Sequence, residues 1–456
     1  MQEQKCDVLI VGSGVAGLYS ALNLSPERKV VIITKAKKAE DCDSFLAQGG
    51  ICMLRNDEDY DSYFEDTLKA GHYENNRTSV DIMIRSSQEI IQDLISFGVD
   101  FEKDSDGNLK FTKEGAHTFA RILFHEDITG QEITEKLLAQ VRGRENITIL
   151  EDTSMLDIIT AKSPEGKTVC AGVVASQSGT LTAFRADETI WACGGIGGLF
   201  KQSTNFPHLT GDALAIAIKH GIPLQDPDYI QIHPTTLYCK NQKGRAFLIS
   251  ESVRGEGGIL LDKNGNRFVN ELLPRDAVSA AIFEQMKKDG TDHVYLSMEK
   301  IPEEEIRRHF VHIYERCLKE GFDCTKEPIP VVPAQHYFMG GVAVNSDSRT
   351  SMERLYAAGE TSCNGVHGKN RLASNSLLES LVFAKRAAKQ IESEIGKYKS
   401  ENLVLDEFSE ENYSDTKSLE NEYKQLVLDA IKEQEKKRNE SNNNDIECRQ
   451  SAAASA

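Results

Sequence analysis

The chain opens on a short apolar run, CDVLIV at 6–11, followed by GSGVAGLYSALNL and a second apolar run, KVVIIT at 29–34. Short apolar runs bounded by turn residues predict buried strands, and the segment between these two has helical spacing behind a glycine turn. A β-α-β unit is therefore expected at the start of the chain. Residues 78–99 predict a helix, with Ile82, Ile90, Ile91, Leu94 and Ile95 near one face. Strands are expected at 146–156, 169–184 and 188–195, and again at 354–360 ahead of a loop. SNSLLESLVFAKRAAKQIESEI at 374–395 predicts a long helix, because Leu377, Leu378, Leu381 and Ala384 recur on one side.

Between 227 and 338 the pattern changes to mixed polar segments with several prolines. After Lys399 it turns acidic and polar. The expected fold class is α/β. A Rossmann-like dinucleotide-binding domain spans 1–226 and 339–395, and an α+β capping domain, 227–338, is inserted in it. A short helical or disordered tail, 396–456, completes the chain. In that tail 419–437 is expected as a charged amphipathic helix and 438–456 as disordered. Residues after 399 are expected to be dispensable for chemistry.

Composition narrows the function. Of 456 residues, 39% are hydrophobic and 27% charged, a globular balance, with no apolar run long enough to span a membrane. The N-terminus has no basic, apolar, small-residue pattern of a signal peptide, so a cytoplasmic address is expected. A net charge of −18 argues against nucleic acid as a partner. Ten cysteines are scattered without C-x-x-C pairs, so neither metal nor iron–sulfur cluster is expected.

Gly12, Gly14 and Gly17 form G-x-G-x-x-G directly after a strand and at the opening of a helix. The first allows the tight turn and the second a close backbone approach to a pyrophosphate. The third allows helix–strand packing, and the helix N-terminus offers N–H donors to phosphate. Ser13 and Ala16 belong to the same loop. At the end of the second strand, where an acidic residue is usual, stand Thr34 and Lys35. A carboxylate contact to the ribose from that point is therefore in question, and Lys35 is itself a candidate for the cofactor site.

Further motifs follow in order: SFLAQGGI at 44–51, TGDALAIA at 210–217, AAGE at 357–360 and HGKNRLASNSLLESL at 367–381. Together they resemble the succinate dehydrogenase/fumarate reductase flavoprotein family over roughly residues 5–395. The resemblance implies FAD, contacted by Ser44, Gln48, Gly49 and Gly50. It also implies Asp212 and Glu360 as acceptors for cofactor hydroxyls. Ser376 and Leu377 open a helix whose positive end can stabilise reduced flavin. Respiratory members attach FAD covalently through a His just before the Ser/Thr of this motif. Here that position is Asp43, so noncovalent FAD is expected. The family's C-terminal three-helix domain has no counterpart in the polar residues after 395, so the chain reads as a short form.

The same resemblance implies a dicarboxylate site. His233 lies in IQIHPTTL, Ser250 and Glu251 in FLISESVRGEGG, Arg275 in ELLPRDAVS, His336 in VVPAQHYFMGGV and Arg371 in GKNRLASNS. Arg supplies a planar fork for carboxylate. His233, His336, Arg371 and Ser250 (where Thr is expected) would hold carboxylates, and Arg275 would move the proton, with Glu251 or Glu256 as its candidate partner. TKEGAHTFARILFHEDITGQEI at 112–133 resembles the aspartate-oxidising branch, and Glu114 in it would meet a substrate ammonium. The implied reaction is oxidation of L-aspartate to iminoaspartate, with oxygen or fumarate as acceptor and quinolinate synthase as the consumer of the product. A soluble fumarate reductase with noncovalent FAD is the alternative. A non-catalytic FAD-binding protein would lack the Arg275 or His233 motifs, and both are present.

Overall fold

A computed structural model describes residues 1–240, 244–396, 400–406 and 409–454, without the side chains of Glu401 and of residues 442–454. Its largest sheet follows the path Val404–Leu405, Thr153–Lys162, Thr168–Gln177, Thr180–Trp191, Gln2–Val11, Val30–Ile33 and Ile147–Leu150. Leu355–Ala357 pairs parallel with Thr180–Trp191. The first strand pairs parallel with Val30–Ile33, Val8 opposite Val30, as a β-α-β start requires.

The helices α1 (Val15–Leu22), α2 (Tyr60–Ala70), α3 (Arg77–Ser96), α4 (Thr129–Arg142) and α5 (Asp212–Lys219) lie between or beside these strands in sequence. Next come α6 (Glu251–Gly255), α7 (Arg275–Asp289), α8 (Glu303–His309) and α9 (Val311–Lys319), then α10 (Asn375–Glu394) and α11 (Thr416–Ala454). The central strands are apolar on both faces, and successive side chains enter different cores. Val8, Ile10, Val30 and Ile32 pack with α1, α3 and α10. Leu9, Val11, Val31 and Ile33 pack on the other side with α5 and α11. A third core belongs to a second sheet, ordered Phe247–Leu248, Ile230–Leu237, Ile329–Phe338, Val294–Ser297 and Ile259–Leu261.

Two expected strands are each a pair. Residues 169–184 fall in the hairpin Thr168–Gln177 and Thr180–Trp191, turned by Ser178 and Gly179, both at positive φ. Residues 146–156 divide into Ile147–Leu150 and a strand beginning at Thr153, with Asp152 at φ +51° between them.

The polar segment after 395 has a structural part. Leu419, Tyr423, Val427 and Ile431 are buried at a spacing of four and join the core that contains α5. Such a spacing keeps one stripe of a helix against its neighbour. The Tyr423 hydroxyl donates to the Leu156 carbonyl at 2.6 Å. Arg438 donates to Asp228 at 2.7 and 3.0 Å, to Asp226 at 3.0 Å and to the Tyr229 hydroxyl at 2.6 Å. These residues sit where the chain leaves Leu224–Gln225 for the second sheet. This docking gives the tail a structural role, and α11 extends to Ala454 through most of the stretch expected to be disordered. Residues 455–456 lie outside the described residues.

Candidate active site

A cavity of about 390 Å³ runs between the large sheet and the second one. At its glycine-loop end Gly12 has φ +117°, and a Cβ there would lie 1.9 Å from the Ala192 carbonyl oxygen, so only glycine fits. Ser13 Oγ donates to the Ala39 carbonyl at 2.8 Å. Gly14 is the N-cap of α1, and Ser44 Oγ accepts from the Val15 N–H at 3.2 Å, closing that helix end toward the cavity. Gly17 does not line the cavity. A Cβ on it would meet Gly12 O at 2.1 Å, which identifies it as a packing glycine. Lys35 Nζ donates to Asp212 at 2.8 Å and to Thr210 Oγ1 at 3.2 Å. The strand end thus carries a lysine paired with a carboxylate from the first turn of α5.

The other expected cofactor residues, Ala16, Gln48, Gly49, Gly50, Glu360, Ser376 and Leu377, line the same cavity. Among the described residues, Gln48 Oε1 and Asp43 Oδ2 are buried without a protein partner. Asp43 accepts from the Phe206 N–H at 2.9 Å through its other oxygen. Burial pushes the Asp43 carboxyl up to about 7. Burial, and then the nearby Asp43, pushes Glu360 up to about 8. Buried polar atoms without protein partners on a cavity wall suit a polar ring system with edge donors and acceptors. The site therefore fits FAD.

At the far end the substrate candidates converge. Arg275 Nε donates to Glu251 Oε2 at 2.5 Å, and Arg254 lies 3.5 Å from the same oxygen. Gln231 Oε1 accepts from Arg275 Nη1 at 2.8 Å and from Arg371 Nε at 3.3 Å. Arg371 also donates to the Ser376 hydroxyl and stacks 4.4 Å over the Tyr337 ring. Glu114 is 2% exposed and accepts from Ser374 Oγ at 2.5 Å and from Ser252 Oγ at 2.9 Å. Burial, and then the Glu251 charge, raises its pKa above the usual carboxylate range. Burial opposes the Glu251 charge too, but Arg275 and Arg254 outweigh it and hold its pKa low.

His233 and His336 stand edge to face with centroids 5.0 Å apart. His233 Nδ1 lies 3.2 Å from the Thr235 amide nitrogen, and its buried Nε2 has no protein partner among the described residues. His336 Nδ1 lies 2.8 Å from Thr204 Oγ1. Burial, followed by the Arg275 charge, holds both imidazoles well below their ordinary range, so they are neutral. Ser250 is the N-cap of α6, and its Oγ accepts from the Ser252 N–H at 3.2 Å.

Several lining or supporting residues were not anticipated. Gln231 shares a strand face with His233, two positions away, and that spacing was its only signal. Ser252, Ser374, Arg245, Asn205 and His208 carry no mark in the sequence beyond their motifs. Asp127 lines the cavity and accepts from the His312 and Ile313 N–H groups at 3.3 and 2.8 Å, capping α9.

A family model described as the FAD binding domain matches residues 7–377. A protein from Clostridium perfringens named L-aspartate oxidase is 52% identical over 389 residues, covering 85% of this chain and 87% of that relative. The chain belongs to the L-aspartate oxidase family. A member from Neisseria meningitidis is 41% identical, with 85% of this chain and 78% of that relative covered. Among solved structures, an E. coli quinol fumarate reductase FrdA variant matches with a TM-score of 0.80 at 29% identity, covering 92% of this chain and 74% of that one. Mycobacterium smegmatis Sdh1 in complex with UQ1 matches at 0.74 and 30%, covering 92% and 73%. Membership makes the cofactor FAD and the fold that of the flavoprotein family. Among the described residues no helix is long and apolar enough to cross a membrane.

Proposed function

We propose that this chain oxidises L-aspartate to iminoaspartate with noncovalently held FAD. The supporting observation is the charge balance at the far end of the cavity. Three buried guanidinium groups (Arg254, Arg275, Arg371) face two buried carboxylates (Glu114, Glu251), and both imidazoles are neutral. Ionised, that set carries one net positive charge. Aspartate, with two carboxylates and an ammonium, carries one negative charge and neutralises it. A plain dicarboxylate overshoots unless Glu114 takes up a proton.

In this reading Arg371, His233, His336 and Ser250 hold the two carboxylates, and Glu114 receives the ammonium. Gly12, Gly14, Ser44, Gln48, Ser376 and Leu377 would hold FAD, which would supply the two-electron acceptor for the hydride of the substrate α-carbon. The ammonium first gives up one proton, and the nitrogen lone pair so freed forms the C=N bond as the α C–H electron pair leaves as hydride. Arg275, partnered by Glu251, is the proton-transfer group, and in fumarate reduction it protonates carbon. Residues 227–338 act as the cap that closes over the substrate and excludes water. Oxygen or fumarate reoxidises the cofactor in the cytoplasm, and quinolinate synthase consumes the product. Fumarate reduction is the second reading, favoured by the two serine hydroxyls that can satisfy a protonated Glu114. Purified protein assayed with L-aspartate, with succinate, and with fumarate plus a reduced dye tests both. Bleaching of the flavin by aspartate but not by succinate is expected. The converse pattern would make the protein a fumarate reductase.

A further inference from the structure

The segment that carries Glu114 holds a second buried group with no part in the reaction above. His117 is 4% exposed, and its two ring nitrogens have different partners. Nδ1 lies 3.1 Å from Arg121 Nη1, and Nε2 lies 3.1 Å from the Ala373 carbonyl oxygen. A guanidinium has donors only, so Nδ1 must accept. Nε2 then carries the proton and donates to Ala373. Burial, and then the Arg121 charge, pushes the imidazole down to about 4, so this neutral tautomer persists through the working pH range.

Each end of that bridge is anchored differently. Arg121 is fully buried and binds Asp59 at 2.9 and 3.2 Å, Asp66 at 2.7 Å and Ser62 at 2.9 Å, fixing it to α2. Ala373 stands between Arg371 and Ser374, and Ser374 donates to Glu114. Ala116 and Ser374, on opposite sides of that contact, hold left-handed backbone conformations at φ +65° and +61°. Non-glycine residues keep such conformations only where their surroundings over-determine them. His117 follows the first of these residues directly and bonds to the carbonyl just before the second.

We propose that His117 is a positioning residue whose imidazole fixes the span between Glu114 and Arg371, and with it the preference for a substrate bearing both an ammonium and a carboxylate. The proposal rests on the aspartate-oxidising reading of the site. Succinate uses Arg371 but not Glu114, so it is less sensitive to that span. Loosening the bridge therefore costs aspartate more than succinate.

The two amide replacements separate the two bonds. In His117→Asn the amide oxygen occupies the Nδ1 position, keeping the Arg121 contact while losing the Ala373 one. In His117→Gln the longer side chain can again reach Ala373. The readout is kcat/KM for aspartate relative to the inhibition constant of succinate, measured on holoenzyme with an unchanged flavin spectrum. His117→Asn is expected to lower this selectivity about tenfold, the scale of one buried hydrogen bond, and His117→Gln to recover most of it. A ratio within about twofold of wild type in His117→Asn, or an equal loss in both variants, overturns the proposal. Should neither variant fold, ¹⁵N spectra of the wild-type holoenzyme decide. An Nε2–H tautomer that does not titrate between about pH 5 and 8 supports the bridge, and an Nδ1–H tautomer refutes it. Absence of any aspartate turnover by the wild-type protein would instead sink the functional reading, leaving the tautomer result intact.

Discussion

Replacing Glu114 by glutamine removes a charge and almost no volume. The group is 2% exposed, and its donors are two serine hydroxyls. Hydroxyls rotate to suit either an acid or an amide, so the fold should stand. A substrate ammonium about 4 Å from an ionised Glu114 gains about 4 kcal/mol at an effective dielectric constant near 20. Part of that gain is offset by the cost of ionising Glu114, which burial and the neighbouring Glu251 make harder. A net loss of about 2–4 kcal/mol is expected for aspartate, roughly thirty- to several-hundred-fold in kcat/KM. Succinate should inhibit the variant as well as wild type or better, because a like charge has gone. The pH dependence has a definite sign. A raised carboxyl pKa keeps Glu114 protonated to higher pH, so wild-type kcat/KM for aspartate rises as Glu114 ionises, and Glu114→Gln lacks that limb. Anaerobic stopped-flow bleaching of the flavin by L-aspartate, repeated across pH, measures all of this. Equal losses with aspartate and succinate, or an unchanged acid limb, would refute the reasoning and leave Glu114 as a structural acid.

Arg275→Leu should keep FAD and still bind a dicarboxylate inhibitor, seen as a flavin spectral change, while fumarate turnover falls roughly a hundredfold. A nearly wild-type rate would move the proton role elsewhere. Acid precipitation should release all the flavin into the supernatant, since Asp43 stands at the attachment position; a yellow pellet would contradict this. Val427→Asp places a charge at a side chain that is 1% exposed and beside Gly211, where α5 begins. It should weaken FAD binding by at least about tenfold, as an unpaired buried charge would, and fluorescence titration of the apoprotein would expose an undocked α11 by showing no change. Glu188 is buried on the large sheet, and burial pushes its carboxyl up to about 8. Its folded form binds a proton that the unfolded form has released, so its contribution to stability declines as pH rises from about 4.5 to 8. Glu188→Gln should therefore raise Tm more at pH 8 than at pH 5, by on the order of 1–4 kcal/mol of stability; a gap that does not widen with pH would show the carboxyl to be ionised and paired.

The first β-α-β unit was legible because Val8 to Val11 and Val30 to Ile33 are apolar on both faces and a glycine turn lies between them. The hairpin at 168–191 was less so, since its turn takes only two residues, Ser178 and Gly179. In the site, charged and imidazole side chains within dense motifs could be read individually, and the structure brings them to one cavity. Gln231 escaped because a neutral amide offers no chemical mark, although it joins Arg275 to Arg371. His117 and Arg121 stood in plain view, but their roles depend on Asp59, Asp66 and Ala373, which no local spacing predicts. The helix of the tail was legible, but its docking was not, because the buried stripe has only one apolar residue per turn in an otherwise charged helix.

The seating of α11 against α5 also sets an order of events during synthesis. Lys35 and Asp212 reach the cavity early in the chain, but Glu420, 3.8 Å from Lys35, and the stripe behind Asp212 come from its far end. At about 5–20 residues per second, the ribosome adds that helix roughly 20–80 s after Lys35. Until then the apolar face of α5 is open to water, to chaperones and to proteases. The pair Lys35 and Asp212 therefore gains its outer neighbours, Leu419, Glu420 and Tyr423, only when α11 docks.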